Sequence, residues 1–332
     1  MDHHLPKPFK ARPARLDDAE AIAGVVNACA IERTGKPRAT GQQVRGVMQT
    51  PGLDLETDFL LAVGPGEQLA GIALVQDTAP HTMFFVLADV HPQYRGRGLG
   101  SALCRWTEER ARRAMARAPA GERVVLLQQR LSTDLPARKL LLGRGYRVAR
   151  HNFRMVVKLE APPPPPVLPE GITIRPFVRD REARALVRAL REAFRDNWGY
   201  VERPFEEEVQ RWMHMLDRDP DDDPSPFWFV ALDGEEIAGL CLCNPREAGD
   251  AEMAWIHVVG VRPPWRRRGM ALALLHHSFG ALYRQGRRKI GLEVDTQSAT
   301  GATRLYEKAG MRAERQYDFY EKELRPGREA NR

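Results

Sequence analysis

The run Val259-Gly260-Val261-Arg262-Pro263-Pro264 leads through Trp265 into Arg266-Arg267-Arg268-Gly269-Met270-Ala271. An apolar strand that stops at prolines, a basic turn and an apolar helix in immediate succession suit a polyanion. The first turn of a helix carries N–H groups without intrahelical partners, at the positive end of the helix dipole. Gly269 takes a Cβ out of the path of a ligand. Arg266, Arg267 and Arg268 add charge and fork-shaped donors. Together these features are expected to cradle a pyrophosphate, with Met270 and Ala271 opening the helix. The first half carries a second copy: Val90 ends a strand, and Arg95-Gly96-Arg97-Gly98-Leu99-Gly100 follows. Neither copy is the GxxxxGK[ST] phosphate loop or the GxGxxG dinucleotide turn.

The two turns share the pattern [Q/R]xxGx[G/A], which resembles the coenzyme A pyrophosphate turn of the GNAT (GCN5-related N-acetyltransferase) family. Leu292 to Met311, LEVDTQSATGATRLYEKAGM, resembles that family's strand-helix-glycine signature. The resemblance implies acetyl-CoA as cofactor, a primary amine as acceptor and Tyr306 as the acid that protonates the departing thiolate. A phenol is protonated at neutral pH and can donate; the alternative is a tyrosine packed in the core. It also implies that Val259, Gly260 and Val261 offer backbone groups to the acetyl carbonyl and the pantetheine arm. In the first half Leu141 stands where Tyr306 would, and leucine has no proton to give. The first domain is therefore expected to keep a cofactor turn and to have lost catalysis. This asymmetry resembles the mycothiol synthase-like two-domain acetyltransferases, which use a glutamate on the strand before the turn. No carboxylate occupies that stretch here. The rival reading is a non-catalytic acyl-CoA-binding or regulatory protein.

An attacking amine must first lose a proton. Trp255, His257, Val259 and Val261 are expected to alternate onto one strand face, and His257 is the first candidate for base or water relay. The alternative is a hydrogen-bonded structural histidine. Glu252 is the second candidate. Asp295, just after a strand, is placed to orient the amine. Phe194 to Val201 mixes aromatic and polar residues; Trp198 and Tyr200 are expected to contact the acceptor, unless the segment is a plain packing turn. The acidic run Asp217 to Asp223 reads as a surface loop.

The elements around these residues form a mixed α/β pattern, a sheet covered by helices. In the second half strands are expected at 173–177, 227–232, 237–243, 255–261, 289–294 and 315–324. Helices are expected at 181–198, 205–216, 270–283 and 300–309, the last ended by Gly310. Four landmarks recur in the same order at offsets of 163 to 171 residues: Arg12 and Arg175, Ala70 and Ala238, Tyr94 and Trp265, Ala137 and Ala302. This indicates a duplicated domain. The proline run Pro162 to Pro166 favours an extended spacer. The expected organisation is a degenerate domain at 1–160, a linker at 161–170, a catalytic domain at 171–325 and a tail at 326–332.

The 332 residues suffice for two such domains, and 43% hydrophobic with 29% charged residues is ordinary for a folded chain. No window is apolar enough for a membrane span, and the N-terminus lacks an apolar signal core, so a cytoplasmic protein without a membrane partner is expected; the tandem arrangement points to a monomer. The net charge of +7 rests on 43 Arg against 8 Lys, spread along the chain and without a nucleic-acid-binding motif. No nucleic-acid partner is expected. Cys29, Cys104, Cys241 and Cys243 fit neither a disulfide framework nor a zinc site, and no metal is expected.

Overall fold

A computed structural model describes residues 5–217, 223–247, 250, 252–298 and 300–328. The chain divides into two compact units, residues 5–149 with 318–328 and residues 150–317. The first unit holds β1 (Lys10–Arg12), α1 (Ala19–Thr34), α2 (Gly41–Met48), β2 (Phe59–Val63), β3 (Leu69–Asp77), β4 (Met83–Val90), α3 (Leu99–Ala114), β5 (Val124–Leu131) and α4 (Leu135–Gly143). The second holds most of β6 (Arg147–Lys158), then β7 (Ile172–Pro176), α5 (Arg179–Phe194), α6 (Phe205–Leu216), β8 (Trp228–Asp233), β9 (Glu236–Asn244), β10 (Met253–Val261), α7 (Met270–Arg284), β11 (Lys289–Asp295) and α8 (Ala302–Lys308). The last strand, β12 (Arg312–Arg325), gives its end from Asp318 onward to the first unit.

The partition does not follow chain order. The chain passes between units at Ala149–Arg150 and again at Tyr317–Asp318. The proline run Pro162 to Pro166 joins β6 to β7, two strands of the same unit, and is not the crossing point. Polyproline cannot add ladder bonds, and it serves here as an extended connection.

In the first unit the strand order is β1-β2-β3-β4-β5-β12; in the second it is β6-β11-β10-β9-β8-β7. One parallel pair lies near the middle of each, β4–β5 and β10–β11. Both faces are covered, as the continuous apolar runs of β3 and β9 require. On one face of the second unit, Leu274, Leu275, Phe279 and Leu282 of α7 pack with Ile290, Leu292 and Val294 of β11. On the other, Leu186, Ala189 and Leu190 of α5 pack with Trp228, Val230 and Leu240. The first unit repeats the plan with α3 and α4 on one face and α1 and α2 on the other.

Two expected features end differently. The helix expected at 181–198 stops at Phe194, and turn bonds from Asn197 N–H to Phe194 and from Tyr200 N–H to Asn197 follow. Strand β10 does not alternate cleanly. Its register against β9 slips between Ile256 and Val258, so His257 is the residue of a bulge. Ile256, Val259 and Val261 therefore pack on the α7 side, whereas Val258 packs on the α5 side. Trp255 does not share a face with Val259 and Val261.

Glu321 ties β12 into the first unit. Its carboxylate is 4% exposed and receives bonds from Arg123 at 2.6 Å and Arg147 at 2.7 Å. Burial opposes ionisation, but these bonds outweigh it and hold the carboxyl below its ordinary range. A lowered folded-state value adds stability above the unfolded glutamate value, about pH 4.3, and loses it as pH falls through the folded one. Glu321→Gln is expected to lower the unfolding free energy by about 2 kcal/mol at pH 7. Urea denaturation should show that gap closing toward pH 3.

Candidate active site

The parallel pairs part early. β10 and β11 pair only from Met253↔Lys289 to Ile256↔Leu292, whereas β10 stays paired with β9 as far as Val261↔Gly239. In the first unit β4 and β5 pair only from Met83↔Val125 to Val86↔Gln128, and β4 stays with β3 through Val90↔Gly71. Each splay leaves the end of one strand with a free edge, and the glycine turn follows that end.

Both turns share one backbone. Gly269 caps α7 and Gly98 caps α3, each at φ +82, without a side-chain cap. Gly96 and Arg267 occupy the same step of the two turns and both have positive φ, 75 and 63. On α7 the first amide with a partner inside this turn is Ala273 N–H, on Gly269 at 3.1 Å. The amides of Met270, Ala271 and Leu272 precede it, and a Cβ placed on Gly269 would meet nothing within 4 Å. These uncapped amides in open space fit an anion.

The three arginines of the second turn differ. Arg266 is a brace: its guanidinium donates to Val261 O at 3.1 Å, Ala193 O at 3.1 Å and Asp196 at 3.0 Å. Arg95, at the same step of the first turn, pairs with Glu32. Arg267 and Arg268 are exposed and have no ion-pair partner among the described residues. Met270 is buried, so only its backbone can face a ligand. Gly260 serves α5, because a Cβ there would stand 2.8 Å from Phe194. In the first turn Arg97 is exposed and lies over Tyr94, at 5.5 Å from the ring centre.

Tyr306 lies on α8, in a core with Cys241, Met270 and Leu274. It is 8% exposed, and its hydroxyl has no hydrogen bond among the described residues. Burial pushes the phenol above the ordinary tyrosine range, and Cys241 acts in the same sense. It is thus a protonated donor without an internal acceptor. The Cys241 and Cys243 thiols are buried, 3.7 Å apart.

On the opposite face of the sheet the chain brings Trp198 and Asp295 together through Arg150, a residue that sequence reasoning missed. The Arg150 guanidinium lies 5.2 Å from the Trp198 ring centre, donates to Gln297 at 2.5 Å and stands 4.0 Å from Asp295. Arg150 precedes the proline run and showed no motif. His257 is exposed at the bulge, and Glu252 is exposed in the turn before β10, its N–H on Asp250 at 3.3 Å. Tyr200 lies apart from that group: burial and then Glu208 and Glu202 push its phenol up, with Arg191 and Arg195 nearby. Of the acidic run, residues 218–222 lie outside the described residues; Asp217 pairs with Arg179 at 2.6 Å.

In the first unit Val90, Arg95, Gly96, Leu99 and Gly100 line a cavity of about 180 Å³ with Leu141 in its wall. Its free strand edge is partly taken. Arg130 donates to Ala88 O at 2.6 Å and the Cys29 thiol to Val90 O at 3.2 Å.

Arg266→Ala is expected to lower stability by about 1–2 kcal/mol, because two carbonyls and Asp196 lose their donor. Arg268→Ala should leave the thermal midpoint unchanged. Parallel melts of the two variants test this division of labour.

Comparison with known proteins accords with this geometry. The acetyltransferase (GNAT) family matches residues 44–146 and 186–311. A mycothiol acetyltransferase from Thermobispora bispora is 32% identical over 250 residues, 74% of this chain and 77% of that protein. One from Streptomyces scabiei is 30% identical over 304 residues, 90% of this chain and 86% of that protein. Among solved structures, a GCN5-related N-acetyltransferase from Sphaerobacter thermophilus aligns with TM-score 0.79 and 37% identity, covering 99% of this chain and 100% of its own. A tandem GNAT protein from the clavulanic acid biosynthesis pathway aligns with TM-score 0.73 at 14% identity, covering 96% and 100%, a likeness of fold. The chain belongs to the GNAT family of N-acetyltransferases and carries the family's domain twice in tandem.

Proposed function

We propose that the second unit transfers an acetyl group from acetyl-CoA to a primary amine, and that the first unit is catalytically silent. The observation that carries this reading is the pairing of an uncapped, glycine-started helix with a buried, protonated Tyr306 in one unit. The same turn meets Leu141 in the other. Acetyl-CoA supplies the activated acetyl thioester. The amides at the start of α7, with Arg267 and Arg268, hold its pyrophosphate; the free edge of Val259, Gly260 and Val261 orients the pantetheine arm. Tyr306 gives its phenolic proton to the departing sulfur. Its raised pKa keeps that proton in place throughout the physiological range.

On the acceptor face His257 takes a proton from the amine, directly or through water, with Glu252 as the second candidate. Asp295 and Trp198 border that approach, with Arg150 fixing both; Tyr200 steadies the connection that carries Trp198. The names of the relatives make desacetylmycothiol the first acceptor to test. The first unit retains Val90, Arg95, Gly96, Arg97, Gly98, Leu99 and Gly100 and reads as a second cofactor cradle without an acid. A monomer suits this reading, since one chain holds both cofactor turns and the proposed acid.

Calorimetry with acetyl-CoA tests the cradle. Gly269→Val is expected to weaken the second-unit site by about tenfold or more, as a β-branched residue is strained at that φ. Tyr306→Phe should retain binding and lower turnover on the order of a hundredfold. No binding at millimolar acetyl-CoA, or full turnover by Tyr306→Phe, contradicts the reading.

A further inference from the structure

We propose that an arginine-lined groove on α5 is an anion site, in which Arg188 and Arg195 hold a phosphomonoester. The groove lies outside the acetyl-transfer site proposed above and takes its anion whether or not that reading holds.

Arg184, Arg188, Arg191 and Arg195 follow one another at spacings of four, three and four residues. That spacing places them on one face of a helix. Arg195 caps α5 but keeps helical dihedrals, φ −52 and ψ −34, so it stays in the row. With Phe205, at the start of α6, the four line a groove of about 330 Å³. The Phe205 ring stands among three of them. Arg191 lies 4.9 Å from its centre, Arg184 5.1 Å and Arg188 5.7 Å. A ring face attracts guanidinium groups and restrains them. The corresponding helix of the first unit, α1, carries one arginine, Arg33, which pairs with Asp89 and Asp134. The row therefore belongs to the second unit and not to the duplicated fold.

The carboxylates around the groove neutralise half of the row. Arg184 pairs with Glu206 at 2.7 Å. Arg191, the most buried of the four, pairs with Glu208 at 2.7 Å and Glu202 at 3.2 Å. Glu192 is four residues from Arg188 and three from Arg195, but its carboxylate is on Arg262 at 2.7 Å. The Arg188 and Arg195 guanidinium groups have no hydrogen bond or ion pair among the described residues, and both residues are exposed. Two forked cations on one wall, left without counter-charge, match the two charges of a phosphomonoester.

The groove shares a segment with the proposed acceptor face. Asp196, next to Arg195, accepts from Arg266 of the glycine turn at 3.0 Å, and the Trp198 ring centre lies 5.2 Å from the Arg150 guanidinium. Three residues span at most about 11 Å. An anion clamped at Arg195 thus fixes the start of the connection that carries Trp198. The geometry admits two sources for it: a phosphate borne by the acceptor, or a free phosphate that orders this connection.

The double variant Arg188→Gln with Arg195→Gln removes two charges and breaks no ion pair, so it is expected to melt as the wild type does. Lys308→Gln with Arg312→Gln removes the same charge from exposed positions elsewhere in the unit. Equilibrium dialysis of the full chain against radiolabelled inorganic phosphate, in low-salt buffer with CoA present, compares the three proteins. All three keep the glycine turns, so the difference reports the groove. The arginine variant is expected to bind phosphate on the order of tenfold more weakly than the wild type, and the control variant to match the wild type. Initial rates with acetyl-CoA then separate the sources, using ethanolamine against O-phosphoethanolamine and glucosamine against glucosamine 6-phosphate. With an acceptor-borne phosphate, the phosphorylated amine has the lower KM, and the arginine variant raises it roughly tenfold. With a free phosphate, inorganic phosphate lowers the KM of the plain amine in the wild type and not in the arginine variant. Equal phosphate binding by the wild type and the arginine variant, or an equal loss in the control variant, overturns the anion site. Dialysis needs no turnover: a wild type that acetylates no amine contradicts the acetyl-transfer reading, and the anion site still stands or falls on binding.

Discussion

Two parallel strands that share four ladder positions and then separate leave unpaired peptide groups inside a folded domain. Such groups are costly to bury without partners, and each unit must resolve that edge. Most of the remaining organisation follows from it. The helix that begins where the free strand ends has its uncapped amides beside the opening. The helix after β11 carries Tyr306 into the same core. The face opposite α7 is where β6, β10 and β11 gather their polar side chains. In the second unit the turn between strand and helix is braced at its start by Arg266, because its glycine provides no side chain to hold it.

The two units resolve the edge differently. In the first, Arg130 and Cys29 satisfy carbonyls of β4 from within the protein, Arg33 and Arg130 surround a buried Asp89, and Leu141 fills the wall. In the second, Val261 O receives the bracing Arg266, and Tyr306 stands in the core beside the opening with its hydroxyl uncommitted. One edge is partly taken by its own side chains and the other has a proton donor beside it. This difference between near-repeats supports assigning the chemistry to the second unit.

The arginine excess has a structural explanation in large part. Arg110 is buried against Asp58, Arg144 joins Glu108, and Arg154 bridges Glu247 and Glu314. The forked guanidinium suits such paired, partly buried positions better than an ammonium. Against this background Arg267 and Arg268 stand out, as exposed cations beside an uncapped helix start.

The sequence alone determined the duplication, the mixed α/β class, the two glycine turns and a leucine at 141 where the repeat has Tyr306. Each is a local property: glycine where φ is positive, proline where a strand must stop, a phenol or an alkyl group at one helical position. Tertiary structure decided the rest. Nothing local shows that Asp318 onward completes the first unit while Arg150 begins the second, because strand pairing joins residues far apart in sequence. The bulge at His257 arises from register against β9, so simple alternation misplaced Trp255. Arg266 resembled a ligand contact until its three partners appeared, and Gly260 proved to make room for Phe194. Which side chains converge on one point depends on pairing and packing between distant segments, and spacing along one segment carries no record of that.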